Sequence, residues 1–380
     1  MSASDSLLSE DQRMIRDMAR AFAQERLAPN AAAWEKAGAY PREIIDEMGA
    51  LGLMGMSVPE EWDGAGTDQV SYALALIEIA AGDGGLSTIM SVHNSPTCKC
   101  VLSYGTDEQK EKFLRPMARG EMIGAFCLTE PGAGSDASAL KTKAVKDGNG
   151  YRLTGTKQFI TNGKSGQVAV IFAVTDPQAG KKGISAFLVP TDTPGYVVAK
   201  VEEKLGQKAS DTCQIVFDDM RIAGEALLGN EGQGYKMALE NLEAGRLGIA
   251  AQSVGMAGAA LDFAIAYAKE RQTFGQPIFD HQAVGFRLAD MATKLEAARL
   301  LTMNAARLRD QGVECLKEAA MAKLYASEVA EEICSAAIQT LGGYGYLSEY
   351  PIEKIYRDVR VCQIYEGTSD IQKLIIRRQL

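Results

Sequence analysis

Apolar residues recur at helical spacing through the first third of the chain. Ile15, Met18, Ala19 and Phe22 fall three or four apart ahead of Pro29, which predicts an amphipathic helix closed by proline. Ile44, Ile45, Met48 and Leu51 repeat the pattern, with Gly49 and Gly52 as stop signals. Tyr72, Ala73, Leu76, Ile77 and Ala80 form a third stripe. The period then changes. Tyr151, Leu153 and Phe159 are predicted to share the inner face of an alternating run, with Arg152, Thr154, Thr156 and Gln158 on the other face, as in a half-buried strand. Short apolar runs at 123–128, 168–174, 184–189 and 213–217 predict further strands, with turns at 147–150 and 177–183. Strands roughly ten residues apart, without helices between them, indicate a small β-barrel or sandwich. From 232 onward the helical period returns. Leu288, Met291, Leu295 and Ala298 make one stripe, and Met321, Leu324, Tyr325 and Glu328 another. Residues 304–312 end one long helix and Gly342-Gly343 the next, as in a bundle of about four or five helices. The expected fold is α+β: a helical domain over 1–121, a β-domain over 122–230 and a helical bundle over 231–380.

Composition narrows what such a chain can do. Its 380 residues are 46% hydrophobic and 23% charged, ordinary for a globular protein and enough for a core without disulfide or metal staples. A net charge of -9 excludes nucleic-acid binding through global electrostatics, while leaving room for a local basic phosphate pocket. No uninterrupted run of 18 apolar residues occurs, so no membrane span and no membrane partner are expected. The start, MSASDSLLSEDQ, lacks the basic and apolar regions of a signal peptide, which places the protein in the cytoplasm or, after trimming, in an organelle matrix. Seven cysteines scattered from Cys98 to Cys362 do not form a secreted disulfide framework. Cys98 and Cys100 lack the second pair a zinc site wants. The two histidines, His93 and His281, exclude a three-histidine metal centre, and no metal is expected.

Several local motifs carry candidate chemistry. Gly163-Lys164-Ser165 looks like the end of a phosphate-binding loop, but Gln158 stands where its first glycine is needed, leaving a strand-terminating turn. No GxGxxG opens a helix after a strand, so a nicotinamide Rossmann domain is not supported. The segment from Thr129 to Asp136 follows an apolar strand, and its Pro-Gly and Gly-Ser pairs force a tight turn. Outward amides there suit a polar cofactor edge or a phosphate; a plain turn is the other reading. In the segment from Tyr365 to Gln372, Ser369 and Gln372 fit a capping box, so a helix starts near 369 or 370. Glu366 then precedes a helix N-terminus, where free amides can polarise a carbonyl and a carboxylate can take the proton from its α-carbon. The alternative is a surface loop residue. Arg271 and Thr273, just past a helix, suit a diphosphate or merely the helix dipole.

Taken together, TEPGAGSD (129–136), FITN (159–162), RQTFG (271–275), QTLGGYG (339–345) and YEGTSDIQ (365–372) resemble the acyl-CoA dehydrogenase family, in the same order and over essentially the whole chain. The resemblance implies an N-terminal helical domain, a middle β-domain and a C-terminal four-helix bundle, with FAD between the last two. It implies a homotetramer in which each FAD touches a neighbouring subunit. Phe126, Cys127, Leu128, Thr129, Ser135, Phe159, Ile160 and Thr161 match positions around the flavin. Arg271, Thr273 and Phe274, with Gln282, would reach the diphosphate and adenosine of a neighbour's FAD, and Gln339, Gly342, Gly343, Thr368, Ser369 and Asp370 would complete the site. Ser135, Glu243, Arg246, Tyr365 and Gly367 match substrate contacts. Glu366 matches the catalytic base, which removes the α-proton of an acyl thioester while a hydride leaves the β-carbon for the flavin.

Some relatives carry the base elsewhere, at the position of Gly245. Its absence here disfavours the isovaleryl and long-chain branches. Ser87, near the place of the arginine that reads a distal carboxylate, disfavours the glutaryl branch. Phe159 departs from the usual Trp and lacks its indole N–H. The pattern, including 317–328, is most similar to the short-chain and short-branched-chain dehydrogenases of fatty-acid β-oxidation and branched-chain amino acid degradation. Butyryl-CoA or 2-methyl-branched acyl-CoA are the implied substrates, and an electron-transferring flavoprotein the implied acceptor. An acyl-CoA oxidase, another flavoenzyme on this fold, or a non-catalytic scaffold are the alternatives.

Overall fold

Capping decides where the first helices begin. The computed structural model of the chain describes residues 7–380. Ser9 and Gln12 form a reciprocal capping box at the start of α1 (Glu10–Phe22). The helical path continues through a wider turn at Ala23–Leu27, close to Pro29. In α2 (Arg42–Ala50), Ile44, Ile45 and Met48 are buried as expected, but Gly49 lies inside the helix rather than ending it, and Leu51 is exposed. Asp68 caps α3 (Gln69–Gly82) through Ser71 N at 2.6 Å. Asp83 caps α4 (Gly84–Val92) through Leu86 N at 2.8 Å. Helix α3 is no single stripe: every residue from Val70 to Leu76 is buried, as befits a helix covered on all sides.

The middle of the chain forms eight strands among the described residues: β1 (Gly124–Cys127), β2 (Lys143–Asp147), β3 (Gly150–Thr161), β4 (Val168–Val174), β5 (Ile184–Pro190), β6 (Tyr196–Val201), β7 (Thr212–Ala223) and β8 (Leu227–Leu228). They hydrogen-bond in the order β6-β7-β3-β2-β4-β5-β8, with β1 parallel to β4. Strands β2 and β6 were not among the expected strands, and both bury few side chains. The β3–β7 register slips twice, the second time between Lys157 and Ile160. That bulge corrects the expected alternation. Tyr151 and Leu153 are buried, but Phe159 stands 64% exposed with φ +59. Lys157 points inward instead, fully buried. One inserted residue reverses every later side chain on the strand.

The C-terminal part is built around α5 (Gly234–Glu270), which packs against α3, α6 (Gln282–Asp310) and α7 (Leu316–Leu341). Two short helices follow, α8 (Pro351–Val359) and α9 (Ser369–Arg378). Helix α5 is long and apolar enough to cross a membrane by length and composition alone, and 67% of its apolar window is buried inside the protein. Its partners come very close: a Cβ at Gly255 would meet Ile77 O at 2.1 Å. Helix α7 also corrects the expected stripe. Met321, Leu324, Tyr325 and Glu328 lie on its flank, and the fully buried face is Ala319, Ala322, Lys323, Ala326, Ala330 and Ile333. Alanines allow the closest approach of two helices, so size rather than hydrophobicity selects the inner face. All seven cysteines are free and buried.

Candidate active site

The turn before α9 is a constrained stretch of backbone beside the bundle. Glu366 and Gly367 both take left-handed conformations, φ +54 and +89, which for Glu366 costs on the order of 1 kcal/mol. The turn shifts the cap by one residue from the expected box. Thr368 is the N-cap, accepting from Ile371 N at 3.4 Å, and Ser369 is already helical, its buried hydroxyl lacking a partner among the described residues. Gln372 does not close a box; its Nε2 reaches back to Glu366 O at 3.2 Å and Gly367 O at 2.8 Å. From α7, Lys323 Nζ donates to Gly367 O at 2.8 Å.

This turn lays the Glu366 side chain against α5. A Cβ at Gly245 would meet Glu366 Oε2 at 2.5 Å, so only glycine leaves that space. Oε2 is enclosed and finds no hydrogen-bond partner among the described residues. Burial lifts the carboxyl to about 7, against the downward pull of Arg246 and Lys323. Burial brings the Lys323 ammonium down to about 8, against Cys362 and Glu366. It also draws the Arg246 guanidinium below its ordinary value, against Glu366 and Glu243. Arg246 Nε and Nη1 are likewise enclosed and unpartnered among the described residues. A carboxylate and a guanidinium with unfilled hydrogen-bonding capacity, in a buried site, are poised for a polar ligand.

Tyr365 ties the turn to the rest of the molecule. Its hydroxyl donates to Gln252 Oε1 at 3.2 Å and lies 3.4 Å from Thr88 Oγ1. Thr88 Oγ1 donates to Gln207 Oε1 at 2.7 Å. Gln207 N donates to Asp358 Oδ1. Lys354 bridges Asp358 Oδ2 at 2.6 Å and Asp83 Oδ2 at 3.0 Å. Burial lifts Asp358 above the usual carboxylate range against the pull of Lys354. This buried line joins α4, the segment after β6, α8 and the Glu366 turn.

A second group forms around the bulge in β3. Glu130 and Ala133 bond each other's backbone at 3.0 Å both ways, closing the 129–136 turn. The Glu130 carboxylate accepts from Lys141 N at 2.6 Å, Thr142 N at 2.9 Å and Lys157 Nζ at 2.8 Å. Gln158 N donates to Thr129 O at 2.8 Å. Phe159, next to Gln158, is thereby held close to Thr129, and Ser135 is exposed. Phe126 packs on Phe172 with ring centres 4.9 Å apart. Cys127, Leu128 and Ile160 point into packed cores, so only their backbones can face a ligand.

A third group is exposed. Arg271 follows α5, and Gln272–Thr273 pairs with Gln276–Pro277, with Phe274 at the tip 98% exposed. Thr273 Oγ1 lies 2.9 Å from His281 Nε2, and Arg271 lies over the Tyr344 ring at 5.6 Å. Gln282, Gln339, Gly342, Gly343 and Asp370 are exposed, and Glu243 is half-buried. One protomer therefore gathers Glu366, Tyr365, Gly367, Thr368, Ser369 and Arg246 in one place, and the Phe159 group in another. The Arg271 group faces outward. Lys323, Gln252, Thr88 and Lys157 escaped the reading of the sequence, and Gln372 was read only as part of a cap. The signal for Lys323 was a lysine on an alanine-lined helix face.

Three family models match the chain: acyl-CoA dehydrogenase N-terminal domain over 9–121, middle domain over 125–220 and C-terminal domain over 232–380. The short-chain specific acyl-CoA dehydrogenase of Bos taurus mitochondria is 49% identical over 98% of this chain and 90% of its own length. Butyryl-CoA dehydrogenase from Megasphaera elsdenii superposes with a TM-score of 0.95 at 41% identity, over 98% of both chains. A chain solved in work on the electron transferring flavoprotein of Acidaminococcus fermentans reaches 0.96 at 46% identity, again over 98% of both.

Proposed function

The chain belongs to the acyl-CoA dehydrogenase family of FAD-dependent oxidoreductases, and on that footing we propose that it dehydrogenates short-chain acyl-CoA thioesters between the α- and β-carbons, with Glu366 as the base. The observation that carries this reading is the Glu366 carboxyl, enclosed above Gly245 with Oε2 unpartnered among the described residues and lifted to about 7. A base whose affinity for protons lies near neutral pH is matched to its task. A thioester carbonyl that accepts from the Glu366 amide brings its α-carbon to the carboxylate of the same residue. The proton moves to Oε1 or Oε2, and the closed site keeps water from competing for it.

The residues present fit FAD. Open space lies over Gly132, Gly134, Gly342 and Gly343, an exposed phenylalanine ring at 159 can stack on a flat heterocycle, and Ser369 Oγ offers a free polar atom. The flavin, when bound, supplies the hydride acceptor. Phe159, Thr161 and the 126–135 segment would hold its ring. Arg271, Thr273, Phe274 and Gln282 would reach the diphosphate and adenosine of a neighbour, with Gln339, Gly342 and Gly343. Their outward exposure supports a homotetramer. Arg246, Glu243, Ser135, Tyr365 and Gly367 would meet the thioester and its CoA. Ser87 is buried and accepts from Gln252 at 2.7 Å, a neutral contact that supports an uncharged acyl chain. Butyryl-like or 2-methyl-branched chains are the proposed substrates, and an electron-transferring flavoprotein the acceptor. Anaerobic titration of the FAD-loaded protein with butyryl-CoA should bleach the flavin band. Glu366→Gln should bind FAD and stay yellow, and bleaching of that variant at the wild-type rate would remove Glu366 from the role.

A further inference from the structure

Lys323 is the one cation in this site that no proposed substrate contact explains. It is fully buried on the alanine face of α7, and its ammonium points at the turn rather than at open space. Its donor bond ends on Gly367 O, the carbonyl next to Glu366. Gln372 grips the same oxygen at 2.8 Å, so a neutral amide already serves the backbone. A buried ammonium is costly compared with an amide or an apolar side chain, so the positive charge itself needs a reason. The groups facing Glu366 are few. Arg246 comes from α5 and Lys323 from α7, and Tyr72 from α3 feels the same carboxylate. Around Lys323 stand Cys362, Glu366, Arg246 and Glu328; around Arg246 stand Glu366, Glu243 and Arg309. Arg246 has two unfilled donor atoms among the described residues, open to a ligand. Lys323 is committed to the turn.

We propose that Lys323 is a positioning residue of the reaction: it pins the left-handed Glu366–Gly367 turn through Gly367 O and, while protonated, supplies the neighbouring positive charge that lets Glu366 ionise in a buried site. The proposal rests on Glu366 as the base. Two separate parts of Lys323 do the work. The N–H bond holds the turn, and the charge holds the carboxylate ionisable against desolvation. Lys323→Gln retains a donor and removes the charge. Lys323→Met removes both.

The test is the pH dependence of flavin bleaching by butyryl-CoA in the FAD-loaded protein, for wild type and both variants. The wild-type rate should rise with pH through a midpoint near 7. In Lys323→Gln the midpoint should move about one to two pH units higher, with the plateau rate within about tenfold of wild type. In Lys323→Met the midpoint should move as far and the plateau should fall by more than about tenfold. Calorimetric binding of pivaloyl-CoA, which has no α-hydrogen, gives the same midpoint without turnover. An unmoved midpoint in both assays, with only a lowered plateau or melting temperature, would reduce Lys323 to a strut and overturn the proposal. If Lys323→Met fails to fold, Lys323→Gln alone decides it. A wild-type protein that does not bleach overturns the proposed butyryl-CoA activity first, and with it the reading on which this inference rests.

Discussion

Glu130 and Glu366 are both carboxylates beside a fully buried lysine, yet they respond in opposite directions. Burial pushes both up. At Glu130, Lys157 bonds the carboxylate directly, and the Lys141 and Thr142 amides fill further lone pairs, so the group ends below its ordinary value. At Glu366 the lysine is spent on a neighbouring carbonyl, Oε2 is left unpartnered among the described residues, and the carboxyl rises to about 7. Burial alone does not make a base. A buried carboxylate with its hydrogen bonds satisfied is a structural anion, and one with them withheld is a proton acceptor. Glu130 locks the 129–136 turn to the β3 bulge that presents Phe159. Glu366 is held in place by its backbone so that its carboxylate stays unbonded.

That contrast can be broken from either end. The largest effect is expected at Glu366: Glu366→Gln should lower the rate of flavin bleaching by ~10²–10⁴-fold or more with FAD content unchanged. At the other site, Lys157→Met should leave Glu130 as a buried uncompensated charge and cost ~3–5 kcal/mol of stability. Denaturant unfolding measures this, and adding Glu130→Gln should restore part of the loss. Gly245→Ala places a methyl within 2.5 Å of Oε2; the carboxylate must move, and kcat/KM should fall roughly tenfold, since small misplacements of a catalytic group are expensive. The smallest effect is a matter of sign. The Glu366 carboxyl is raised from 4.5 to about 7 in the folded state, so the native protein holds its proton more tightly than the unfolded chain does. Stability from this group is complete below 4.5 and is lost as pH climbs to about 7. Glu366→Gln should therefore melt a few degrees above wild type at pH 8 and no higher at pH 4. Equal melting at both would show that Glu366 is not desolvated.

Much of this was legible in the chain. The change of period at 122 and again near 232 matches the passage from helices to β1–β8 and on to α5. Glu366 and the 129–136 turn stood out as sites. The failures share one cause. Phe159 was expected inside, and the bulge carries it out. Met321 and Leu324 were expected on the inner face of α7, and alanines took their place. The cap was expected at Ser369 and sits at Thr368, because Gly367 and Glu366 turn left-handed under bonds from Lys323 and Gln372. Each depends on a residue far away in the chain.

By itself, the sequence determined period, turns and family, since these are written in residues a few positions apart. The tertiary structure decided charge and access. Gly245 and Glu366 lie on different elements, as do Lys323 and Gly367, or Glu130 and Lys157. Proton affinity follows from desolvation and from the distance to opposite charge, and neither quantity exists until α5, α7 and the turn before α9 have packed together.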